Sequence, residues 1–200
     1  NYDLIVNIGQ IVPHEVLGFA NHNKNYFIGL GGKSTICASH MMAAASGIED
    51  NLGQIVTPLR GCYILAERNY LKGISDVYVL IVKTQHEKGK LNTTGIYVGE
   101  DIQTYLTAAK YAREHTVHLF DKPLQKVVCM MDAKEFKSTW VANKAIYRTR
   151  KVISDGGELI IIAPGVERFG EQPEVDLLIR KYGYKGTPHT LKAYNNDPQL

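Results

Sequence analysis

Apolar residues along this chain fall into blocks with two different periods. Over residues 3–12 they run almost without interruption, Leu4, Ile5, Val6 and Ile8 among them, before Pro13 closes the run, which reads as a buried strand. Residues 34–46 switch to helical spacing, with Ile36, Cys37, Met41 and Ala44 on one face, Ser34 or Thr35 as N-cap and Gly47 as a stop. A second helix is expected from Val56 or Pro58 to Leu71, then strands over 77–84 and 95–99. The segment His86-Glu87-Lys88-Gly89-Lys90 between those strands reads as a polar loop. A third helix is marked by Ile102, Tyr105, Leu106, Ala109 and Ala112.

Past Asp121-Lys122-Pro123 the pattern starts again, and this is where a domain boundary belongs. Strand 126–131, helix 138–154, turn Asp155-Gly156-Gly157 and strand 158–163 compose a βαβ unit, whose strands are expected to be parallel. A last helix, 173–182, has Pro173 at its first position and Gly183 after its end. The fold class is therefore α/β, with residues 1–120 as the later part of one α/β domain and 121–200 as part of a second that contains a Rossmann-like βαβ unit. The chain opens without methionine directly on a strand, so it reads as a fragment of a longer protein.

Composition narrows the class. The 200 residues are 44% apolar and 22% charged with a net charge of +3, and no block of five like charges occurs, so nucleic-acid binding is not expected. The apolar runs near Leu159 and Val77 are far short of the ~20 residues of a membrane span. Cys37, Cys62 and Cys129 are odd in number and set in apolar patterns, which suits reduced core thiols and a cytoplasmic location.

Candidate chemistry concentrates near the start. His14 sits just past a strand end, where open α/β sheets present ligand-binding groups, and its ordinary pKa near ~6.5 lets it act as acid or base. Lys24 follows ten residues later and His40 sixteen after that, on the helix face shared with Ile36 and Ala44. Each also has an ordinary reading: a loop histidine bonded to backbone, a solvated lysine and a core histidine. His22 brings a third imidazole, so a hydrolase with a zinc site of His14, His22 and His40 is an alternative, although the spacing matches no helical or hairpin ligand pattern. Gly29-Leu30-Gly31-Gly32-Lys33-Ser34-Thr35 looks like half of a phosphate loop, but Phe27 stands where the full pattern needs glycine. A helix N-terminus that binds a small anion, in a non-catalytic module, is a further alternative. In the second half, Tyr147 and Lys151 are four apart and would share a helix face able to grip a carboxylate.

The run Pro13-His14, Gly18-Phe19, Lys24 and His40 resembles the nickel-pincer lactate racemase family, as does Ile146-Tyr147-Arg148-Thr149-Arg150-Lys151 followed by Gly156-Gly157-Glu158. The resemblance implies a racemase or epimerase of a small-molecule 2-hydroxy acid. In that reading Lys24 carries a pyridinium pincer nucleotide as a thioamide, and His40 ligates its nickel. His14 is one of two acid–base histidines, while Tyr147 and Lys151 face the substrate, with Lys151 near the reacting oxygen. Enzymes that make the cofactor are the implied partners. The resemblance also implies that the family's other acid–base histidine and an arginine lie in a segment before Asn1, so that this fragment is expected to be inactive alone. One departure stands out: the family's glycine-glycine-arginine triplet before the lysine is Asn21-His22-Asn23 here, which removes a cation and adds bulk.

Overall fold

The computed structural model describes residues 3–85 and 89–200, and the chain divides into two compact units, Asn1–Leu119 and Phe120–Leu200. The expected loop around His86, Glu87 and Lys88 lies outside the described residues. Both units mix helices with parallel strand pairs, so the fold is α/β.

In the first unit, β1 (Ile5–Gln10) pairs in parallel with β4 (Asp76–Gln85), which pairs antiparallel with β5 (Leu91–Gly99). Between β1 and β4 come a two-residue hairpin, β2 (Pro13–His14) with β3 (Gly18–Phe19), then α1 (Lys33–Ala45) and α2 (Pro58–Tyr70). Helix α3 (Ile102–Thr116) lies against the sheet. Alternation decides which side chains it meets: Tyr78, Leu80 and Val82 of β4 point one way and are buried with Tyr105, Ala108, Ala109 and Ala112 of α3, whose three alanines allow close approach. A second cluster, Val16, Leu17, Ala43, Leu59 and Tyr63, ties the hairpin to α1 and α2.

Four expectations need correction here. β1 is a strand, but it is not buried throughout: Leu4, Val6 and Ile8 are half-exposed or more, and Asn7 is the residue turned inward. A continuous apolar run does not reveal that one face of a sheet is left uncovered. On α1 the buried positions are Ser39 and Ala43, while Cys37, His40, Met41 and Ala44 are exposed, so the inward face is rotated from the one that apolar spacing selects. Gly32, not Ser34 or Thr35, is the N-cap, and no side chain caps the helix. The cysteines are free, as reduced thiols would be, but Cys37 and Cys62 are exposed and none is a core residue.

In the second unit β6 (Leu124–Met130) and β7 (Ile153–Ile162) pair in parallel, as a βαβ connection demands. The connecting helix is shorter than expected. It breaks into α4 (Thr139–Ala142) and α5 (Lys144–Thr149), and the chain turns at Lys151 before entering β7. Asp155-Gly156-Gly157 does not precede the strand but bulges within it, with Gly156 at φ +73°. Helix α6 (Pro173–Tyr182) starts and stops as its proline and glycine imply. The polar segment after Lys185 holds a further helix, α7 (Thr187–Asn196), closed against α6 by Lys181 and Tyr182 on Asp197.

Candidate functional site

The hairpin β2–β3 is what brings His14 and Lys24 together. Gly18 takes φ +79°, and a Cβ there would lie 1.9 Å from the carbonyl oxygen of Gln54, so only glycine permits this turn against the segment before α2. Ala20 then bonds back to the Val12 carbonyl, and the chain enters two consecutive left-handed residues, Asn21 at φ 70° and His22 at φ 59°. Such a pair is costly for residues with a Cβ, although Asn and His accept it more readily than most. The glycine pair implied by the resemblance suits a backbone of this hand. Here the shape is held by contacts instead: Asn21 Oδ1 accepts from the His22 amide (2.8 Å) and from Asn25 Nδ2 (2.6 Å), and the His22 ring stacks on Tyr78 with centroids 3.8 Å apart.

Lys24 follows directly, and its Nζ stands 3.2 Å from His14 Nε2. The other nitrogen of His14, Nδ1, accepts from the backbone amides of Val16 (3.1 Å) and Leu17 (3.4 Å). His14 is mostly buried, and burial is the largest cause that pulls its pKa down to about 4. Lys24 when charged, the neighbouring His40 and the Arg60 cation push the same way, and Glu15 opposes them. At neutral pH His14 is therefore uncharged.

His40 comes from α1 and is exposed, close enough for its charge to act on His14. Its Nδ1 lies 2.8 Å from the Ile36 carbonyl and 3.2 Å from Ser39 Oγ. A carbonyl only accepts, so Nδ1 carries the proton and Nε2 presents its lone pair, the arrangement usual for a metal-binding imidazole. This donor is chemically suited to nickel, and the Lys24 amine beside His14 is suited to an acyl or thioacyl tether. The residues present fit the implied cofactor.

His22 does not join them. It is fully buried beneath Tyr78, and burial first, then Arg60, pull its pKa down to about 4 against smaller contributions from Asp101. The zinc set of His14, His22 and His40 is thus not assembled, because His22 spends its ring on the sheet core. Among the described residues no group of three or more His, Cys, Asp or Glu side chains stands together as metal ligands.

The residue that sequence reasoning missed is Arg60. Wholly buried on α2, it donates to the carbonyls of Phe19 (2.6 Å) and Asn21 (3.1 Å) and to Asn23 Oδ1 (2.5 Å), with its guanidinium 4.3 Å from the centre of the Tyr105 ring. Asn23 Nδ2 in turn donates to Glu67 (3.0 Å), which also accepts from the Tyr78 hydroxyl (2.5 Å). The loop before Lys24 is therefore clamped between a buried cation and a carboxylate. Asn23 is neutral where the resemblance implies an arginine, and the Arg60 cation of α2 stands beside its side chain. Positions 60, 63 and 67 share one face of α2, and two opposite charges flanking a buried tyrosine on that face were the available signal.

Tyr147 and Lys151 belong to the second unit. Tyr147 is part-buried in α5, with the Arg150 guanidinium 5.7 Å from its ring centre. Lys151 is exposed in the turn beyond the helix, so the shared helical face expected for the two does not form.

No protein-family profile matches the chain, and no curated protein matches it. A crystal structure of a protein from Thermotoga maritima, determined as a structural-genomics target, is similar, with a TM-score of 0.83 and 25% identity over 99% of this chain. The chain spans 48% of that protein's length, about half. This likeness is one of α/β fold and of how its elements are connected.

Proposed function

We propose that this chain belongs to a racemase or epimerase of 2-hydroxy acids that works by hydride transfer with a nickel-pincer cofactor tethered through Lys24. The observation that carries the reading is the 3.2 Å approach of Lys24 Nζ to His14 Nε2, with His40 nearby and its Nε2 lone pair available. When bound, such a cofactor supplies the hydride acceptor and donor for C2 of the substrate.

The protein's own residues do the rest. Lys24 holds the cofactor covalently, and the clamp of Arg60, Asn23 and Glu67 fixes the loop that aims it. His40 offers Nε2 to the metal while Ile36 keeps its ring in one orientation. His14, one of the two acid–base histidines of this reading, presents Nε2, the nitrogen that faces Lys24, for proton exchange with the substrate hydroxyl. Within the second unit, Tyr147 and Lys151 carry a phenol and an ammonium, groups of the kind that bind a carboxylate.

The test is to co-produce the protein with enzymes that make the cofactor and to measure intact and peptide masses. An adduct on Lys24, with stereoinversion of lactate or another 2-hydroxy acid that retains its C2 hydrogen, is the expected result. An unmodified Lys24 in a preparation that inverts its substrate removes the proposal.

A further inference from the structure

The hydrogen bonds around His14 determine which of its nitrogens carries the proton. Backbone N–H groups only donate, and those of Val16 and Leu17 both point at Nδ1, at 3.1 and 3.4 Å. Nδ1 is therefore an acceptor, and a neutral imidazole with Nδ1 as acceptor holds its one proton on Nε2. That N–H is the group facing Lys24 Nζ at 3.2 Å. An ammonium has three donors and no acceptor, so it would set donor against donor, whereas a neutral amine has the lone pair that completes the bond. The opposite tautomer, with a proton on Nδ1, would press that proton against the Val16 amide.

We infer that His14 donates a hydrogen bond to Lys24 and that this bond holds Lys24 as the neutral amine, the form that attacks acyl and thioacyl carbon. The charged groups around the pair act in both directions. Arg60 of α2, fully buried beside Asn21 and Asn23, disfavours a second cation, and His40 of α1 adds to this when protonated. Glu15, next to His14, favours the ammonium, while Glu67 is engaged by Tyr78 and Asn23. The direction of the Nδ1 bonds decides between them, since no arrangement of charge turns a backbone N–H into an acceptor. Acylation converts the Lys24 nitrogen from acceptor to donor and so ends this bond, while the Val16 and Leu17 amides still hold Nδ1 as an acceptor. The functional weight of this inference rests on Lys24 as the tether, although its protonation chemistry stands without that reading.

The experiment is trace labelling with acetic anhydride between pH 6 and 11, read by peptide mass spectrometry, on protein made without the cofactor enzymes. The amine nitrogen forms a bond to the acyl carbon, the acyl carbon–oxygen bond breaks, and acetate departs with the electron pair and the amine's proton. The exposed Lys33 and Lys185 serve as internal references. Lys24 is expected to label with a midpoint about two pH units or more below the ~10.4 of an ordinary lysine, about 100-fold more neutral amine at pH 7. His14→Gln keeps an oxygen for the Val16 amide and an N–H for Lys24, so it retains the low midpoint although it cannot exchange protons as an imidazole does. His14→Leu loses it. A Lys24 profile that tracks Lys33 overturns the inference, as does a low midpoint that survives in His14→Leu. Imidazole ¹⁵N shifts of the unaltered protein give a reading independent of any variant: a proton on Nε2 of His14 supports the inference and one on Nδ1 refutes it. Failure of the racemase proposal is separable, because a missing Lys24 adduct in co-produced protein leaves these profiles unchanged.

Discussion

Acid should weaken the first unit through its buried histidines, and His22 isolates the effect. Its folded pKa is about 4, lowered chiefly by burial, against ~6.5 for an unfolded chain. Between those values the unfolded chain takes up a proton that the folded one refuses, so stability is complete above about pH 6.5 and is lost as the pH falls toward 4. From pH 8 to pH 5 one such group costs the folded state about 2 kcal/mol, and His14, held at a similar value, adds a loss of the same order. His22→Phe keeps a ring against Tyr78 and removes both nitrogens, neither of which makes a hydrogen bond of normal geometry. At pH 8 the variant should lie within about 1.5 kcal/mol of the parent, as volume-conserving changes do. On moving to pH 5 it should lose about 2 kcal/mol less. Urea unfolding at the two pH values, followed at the amide signals of β4, measures the difference. Parallel acid sensitivity in the two proteins would refute the argument, because His22 would then be titrating alike in both states.

Three further outcomes follow from the clamp and the hairpin. Arg60→Met leaves the Phe19 and Asn21 carbonyls and the Asn23 amide without their donor, and should cost about 3–5 kcal/mol in urea unfolding; Arg60→Lys should recover only part, since an ammonium cannot reproduce the planar fork. Asn23→Arg sets a second cation against Arg60, so in a double-mutant cycle the pair Asn23→Arg with Arg60→Asn should be more stable than the sum of its parts by about 1 kcal/mol or more; strict additivity would mean the two side chains do not meet. Gly18→Ala drives a methyl into the Gln54 carbonyl at a left-handed φ and should lower stability by about 3 kcal/mol in thermal unfolding, whereas wild-type stability would show that the turn does not approach this closely.

Much of the architecture is visible in local pattern because local physics produces it. The proline and glycine that bound α6, the small-residue face of α3 and the βαβ connection of the second unit each follow from neighbours a few residues apart. Where the outcome depends on distant partners the pattern misleads. The segment after Lys185 is mostly polar, yet it forms a helix whose C-cap, Asp197, is held by Lys181 and Tyr182 of the preceding helix. The helix that was to carry Tyr147 and Lys151 on one face ends at Thr149.

The sequence by itself determined the α/β class, the order of most elements and the identity of His14, Lys24 and His40 as the chemical candidates. Tertiary structure decided which of them stand together. Lys24 reaches His14 because a glycine-dependent hairpin and two left-handed residues reverse the chain, and those residues are held in place by an arginine from a helix some forty positions away. Spacing along a chain cannot show such a clamp, since a buried charge declares itself only through partners that folding brings to it. The same holds for His22: nothing local separates it from His14, and only the stack on Tyr78 places one imidazole in the core and leaves the other beside the amine.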